Sequence, residues 1–208
     1  MPEQVPSSGA ATITEGRRGS DRLEAFSDSV MAVIITIMAF DLRAPAGSSL
    51  HALSQRLPAL LIYVLSFTAV GMAWNHHHQL FRATEHISDA VMWANLHSLF
   101  WLSLVPVFTE WVGDQYRAHL PASGYGVVAL GSAAAYGIPV RTIIGANGKG
   151  SAVATAIGSD RKGYVSIALY ATGASLAWVS PWISYSLYVG VAVVWFMPDR
   201  RFSRTRPR

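Results

Sequence analysis

Apolar residues in this chain fall in long blocks separated by short polar stretches, not in the short periodic runs of a water-soluble fold. Six blocks reach or approach the roughly 20 residues that a helix needs to cross a bilayer. They run Leu23–Leu42, Pro58–Asn75, Ala90–Val112, Tyr125–Ile144, Gly163–Val179 and Trp182–Met197. Only Ser180 and Pro181 lie between the last two. An unbroken helix over Tyr164–Met197 is too long for one crossing, so the proline predicts a tight helical hairpin. Trp74, Trp101, Trp111, Trp178 and Trp182 cluster near block ends, as interfacial aromatic belts do. The pattern predicts an all-α integral membrane protein with six transmembrane helices.

Composition agrees. Of 208 residues, 51% are hydrophobic and 13% charged, where a soluble domain carries about a quarter charged residues. Cysteine is absent, which excludes disulfides, thiolate metal sites and cysteine nucleophiles. The N-terminus is polar with no apolar core, unlike a cleaved signal peptide. Residues 1–21 are expected to form a flexible cytosolic arm, 22–198 the spanning domain and 199–208 a basic cytosolic tail. Beside a terminal apolar block, that tail reads as an anchor for anionic lipid headgroups and not as a nucleic-acid site.

Charge sets the orientation. With the N-terminus inside, the inner segments hold Arg17, Arg18, Arg22, Arg82, Arg141, Lys149, Arg161, Lys162, Arg200, Arg201, Arg204, Arg206 and Arg208, and the outer ones only Arg43, Arg56 and Arg117. Both termini are therefore expected in the cytosol, which an even number of crossings requires.

The first block, FSDSVMAVIITIMAFDL, carries Asp28 and Thr36 among apolar residues. At about 100° per residue, Phe26, Val30, Val33, Ile37 and Phe40 form one apolar stripe, Thr36 lies on its shoulder and Asp28 points elsewhere. Such a stripe faces lipid or a neighbouring helix. An ionisable group in a span costs several kcal/mol unless paired or hydrated, so Asp28 needs partners. Arg22, the run His76-His77-His78, His86 and Asp89 fall on the same side, and Asn95 and His97 extend a polar layer across the first three blocks.

Three consecutive histidines do not converge on a helix, and no carboxylate stands at a zinc-motif spacing, so they read as structural or pH-sensitive hydrogen-bonding groups, with no metal expected. The segment GANGKGSA has Gly150 where a phosphate loop needs Ser or Thr, and reads as a glycine-rich turn. With no nucleophile elbow, paired acids or nucleotide fingerprint, no enzyme activity is expected.

Arg22, Phe26, Ser27 and Asp28 spell RxxxFSD, and with this signature the chain resembles the TMEM175 family of potassium channels. The apolar run through Ile37, NHHHQLF at Asn75–Phe81 and Asn95-Leu96 extend the resemblance over the first half. The resemblance implies a bacterial-type homotetramer of single six-span repeats in the plasma membrane, with no cofactor and K⁺ as permeant ion. It implies a central pore lined by the first helix, constricted by apolar rings at Val33, Ile37 and Phe40, with Thr36 beside the filter. Family members usually carry Ile and then two Leu at those rings, so Val33 is smaller and Phe40 larger than the pattern. Arg22, Phe26, Ser27 and Asp28, with His76, His77, His78 and Asn95, are then the network holding the first helix. The competing reading is a proton-coupled secondary transporter using Asp28 and the histidines, although the first block lacks the Gly or Pro breaks such proteins show.

Overall fold

A computed structural model of the chain describes residues 8–82, 84, 87–148 and 161–196, with side chains from residue 19 onward. All regular structure among them is α-helical: α1 (Ser8–Phe40), α2 (Leu50–Arg82), α3 (Asp89–Ser103), α4 (Val105–Asp114), α5 (His119–Asn147), α6 (Arg161–Leu176) and α7 (Pro181–Phe196). Helix α1 begins at Ser8, inside the expected N-terminal arm. The basic tail 199–208 lies outside the described residues.

Four segments are long and apolar enough to span a membrane: Gly19–Phe40, Leu50–Arg82, Asp89–Asp114 and His119–Asn147. The expected fifth and sixth spans fall on α6 and α7, of 16 described residues each. At 1.5 Å per residue each is about 24 Å long, short of the roughly 30 Å hydrocarbon core. They turn at Ala177–Ser180, where Pro181 opens α7 and Ser180 N–H donates back to Leu176 O at 2.9 Å. That hairpin sits where the proline predicts it.

The third span is not one helix. It breaks at Leu104, whose N–H reaches back to Trp101 O at 3.3 Å, and restarts as α4 with Pro106 in its first turn. Proline has no N–H to give Leu102 O, and its ring crowds that carbonyl, so the helix cannot run through unaltered. Pro58 and Pro139, by contrast, are carried inside α2 and α5. At the far end of α5, Gly148 adopts φ 88° and its N–H caps Ile144 O at 2.9 Å, a left-handed ending that favours glycine. Gly145 to Asn147 of the glycine-rich stretch are thus the last residues of α5, and the stretch from Lys149 onward lies outside the described residues.

Helix α1 packs against α2, α3 and α4. Its Met31, Ile34 and Met38 enter a buried cluster with Val70, Leu99, Leu102, Val105 and Val128. A second cluster joins α2, α4, α5, α6 and α7 around Tyr125, Tyr170 and Tyr188. Buried hydroxyls there are paired: Tyr188 donates to Ala122 O at 3.0 Å, and Thr109 donates to Val105 O at 2.7 Å and lies 2.7 Å from Ser66 Oγ. Such pairing is required where water cannot substitute.

Candidate pore face and its polar clamp

Helix α1 presents two unlike faces. Ser27, Met31, Ile34 and Met38, at spacings of four, three and four, are all at most 3% exposed. Roughly 120° around the helix, Val33, Ile37 and Phe40 are 57%, 46% and 82% exposed, and Phe26 is exposed with them. Val30 leaves the predicted stripe, because it packs against the buried cluster. Thr36 is on the exposed side and its hydroxyl donates to Ala32 O at 2.8 Å. Ser29 does the same to Ala25 O. Both hydroxyls thus satisfy their proton within the helix while leaving oxygen lone pairs outward.

Behind that face, Ser27 and Asp28 of the signature, with Glu24 between its residues, engage α2 and α3. Ser27 Oγ lies 2.9 Å from Leu23 O and accepts from Asn95 Nδ2 at 2.9 Å. Asp28 Oδ1 accepts from the Trp74 indole at 2.9 Å. Glu24 Oε1 stands 2.6 Å from His78 Nδ1. Arg22 is exposed and does not take up Asp28. Helix periodicity explains the set: Glu24, Ser27 and Asp28 are three and four apart on α1, and Trp74 and His78 are four apart on α2, with their rings stacked at 5.6 Å.

The three histidines fan out as successive helix residues must. His76 packs on Trp195 and Tyr136, with ring centroids 4.3 and 5.8 Å away. His77 is buried, with Nδ1 3.2 Å from Ala73 O and its ring against Phe81 and Tyr136. His78 alone turns to α1. Of the wider polar layer, Asn95 joins the network; His97 and Asp89 are exposed, and His86 lies outside the described residues. Sequence reasoning missed Glu24 and Trp74. Trp74 reads as a belt residue until its indole N–H is seen to meet a carboxylate.

Comparison with known proteins accords with this architecture. Residues 22–106 match the family described as endosomal/lysosomal potassium channel TMEM175. The chain is 44% identical over 184 residues, covering 88% of it and 96% of its relative, to a protein named as a potassium channel from Chryseobacterium sp. (strain P1-3). It is 34% identical over 125 residues, 56% of this chain and 61% of the other, to one so named from Streptomyces collinus. Its fold superimposes with a TM-score of 0.74, at 22% identity and over 85% of this chain and 95% of the other, on the crystal structure of a lysosomal potassium-selective channel TMEM175 homologue from Chamaesiphon minutus. The chain belongs to the TMEM175 family.

Proposed function

We propose that the chain is a potassium-permeable channel, passive and non-enzymatic, whose pore is lined by α1 from several copies and closed by rings of Val33, Ile37 and Phe40. The observation that carries this reading is the exposure of those three side chains on a helix whose other face is anchored in the subunit. One copy cannot enclose a path with a single helix face. A homotetramer brings four such faces to one axis and turns the stripe into stacked apolar rings.

Such rings act by dewetting: a constriction a few ångströms wide expels water and closes the path, and modest widening rewets it. Val33 leaves more room at its ring than Ile would, and Phe40 leaves less than Leu. Thr36, between the first two rings, supplies oxygen in a channel otherwise lined by carbon. Six crossings, with α6 and α7 as a short hairpin pair and both termini in the cytosol of a bacterial-type plasma membrane, complete the proposed arrangement; the thirteen-to-three basic-residue bias supports it.

The transporter reading loses its relay. His76 and His77 both pack on Tyr136 and only His78 meets the acidic residues of α1, an arrangement that does not favour a proton path from the run to Asp28. The test is K⁺ flux from proteoliposomes. Wild type is expected to pass K⁺ without valinomycin, and Ile37→Asn to change the rate clearly. Absence of flux for every alkali cation across pH would overturn the channel reading.

A further inference from the structure

The histidine run points three ways, and the one ring that reaches α1 arrives beside two carboxylates. Glu24, Asp28 and His78 each place a donor atom within 4.8 Å of the other two. Glu24 and Asp28 are one helical turn apart on α1, and His78 comes from α2, so the set bridges two helices. All three side chains are partly buried, with Glu24 at 17% and His78 at 33% exposure.

Two features separate this group from an ordinary ion pair. The first is the state of His78 Nδ1. It is sealed from solvent and makes no aligned hydrogen bond, although Glu24 Oε1 is only 2.6 Å away. The two atoms thus touch without being aligned as donor and acceptor. The second is that two of the ligands are already oriented from outside. The Trp74 indole N–H holds Asp28 Oδ1, leaving Oδ2 for another partner, and the same indole stacks on the His78 ring. Outer partners of this kind fix ligand geometry at metal sites.

We propose that Glu24, Asp28 and His78 form a divalent transition-metal site, for which Zn²⁺ is the best-fitting ion, joining α1 to α2 about midway along α1. One imidazole and two carboxylates suit a borderline cation, with water as a fourth ligand. Zinc–ligand bonds of about 2.0–2.2 Å place tetrahedral ligand atoms roughly 3.3 Å apart. The donor set reaches that spacing by side-chain shifts on the order of an ångström. His76 and His77 take no part.

The test uses the purified full chain in mild detergent, titrated with Zn²⁺ by calorimetry and with Co²⁺ by visible absorption. Wild type is expected to bind one Zn²⁺ per chain, with Co²⁺ giving the bands of a tetrahedral site. Thermal unfolding is expected to move up with Zn²⁺. His78→Gln and Glu24→Gln are each expected to weaken binding at least about tenfold and to remove the thermal shift, while His51→Gln on the exposed start of α2 leaves both unchanged. Substoichiometric binding in wild type, or full binding in both α1–α2 variants, overturns the site. Two variants on different helices keep the test valid if one fails to fold. The readout is binding, so its outcome is independent of whether the protein conducts K⁺.

Discussion

Asn95 and Ser27, 68 residues apart in sequence, meet at 2.9 Å with neither more than 1% exposed. This bond ties α3 to α1 on the buried face, roughly 120° around the helix from Val33, Ile37 and Phe40, and so fixes the rotation of α1. Asn95→Ala leaves the Ser27 hydroxyl without its donor in a closed site. A hydrogen bond between helices within a membrane is worth about 0.6 kcal/mol on average and up to about 1.7. Asn95→Ala and Ser27→Ala are expected to lower stability by about 1 kcal/mol each, and the double variant by less than their sum. Thermal or denaturant unfolding in detergent checks this through the double-mutant cycle.

Trp74→Phe keeps an aromatic ring for His78 to stack on and removes only the N–H that holds Asp28. A hydrogen bond to a charged group is worth about 1.5–3 kcal/mol when buried. Trp74 is 42% exposed, and solvent screening brings the expected loss below that range, to about 1 kcal/mol. If unfolding of Trp74→Phe matches wild type, the indole is packing and nothing more.

Gly126 of α5 and Gly173 of α6 both lie against the ring of Tyr188, with no room for a methyl group at either position. Tyr188 is 1% exposed and its hydroxyl is held by Ala122 O, so the ring cannot step aside. Gly173→Ala is expected to destabilise by about 1–3 kcal/mol through overpacking. Gly190, with open space around it, is the matched control on α7: Gly190→Ala is expected to be neutral or slightly stabilising.

Thr36→Val keeps the side chain's shape and removes its oxygen. Apolar rings discriminate by size and wetting alone, whereas oxygens replace the hydration that an ion sheds. The variant is expected to conduct with a lower preference for K⁺ over Na⁺. An unchanged preference would place the Thr36 hydroxyl outside the ion path.

Much of this was legible in the sequence because a bilayer forces long apolar blocks, and because positions three and four apart share a helix face. The stripe at Val33, Ile37 and Phe40, the α6–α7 turn at Pro181 and the different directions taken by the three histidines follow from those two rules. Other features need the third dimension. Pro106 breaks its span while Pro58 and Pro139 do not, since the outcome depends on what packs around the freed carbonyl. Arg22 was the nearer charge to Asp28 in sequence, but the indole of Trp74, 46 residues away, takes the contact. Val30 sits at the edge of the stripe, where the approach of neighbouring helices decides burial.

The central claim is that the exposed face of α1 lines the ion path. The chain has no cysteine, so a single introduced thiol can be modified without background. The measurement is K⁺ flux from proteoliposomes holding Ile37→Cys or Ile34→Cys, before and after a small cationic thiol reagent. Ile37 is 46% and Ile34 3% exposed within the subunit. Flux through Ile37→Cys is expected to fall at least about tenfold on modification, as a charged adduct in a narrow apolar ring demands, while Ile34→Cys is unaffected. If Ile37→Cys is modified with no change in flux, or only Ile34→Cys responds, α1 does not present this face to the pore.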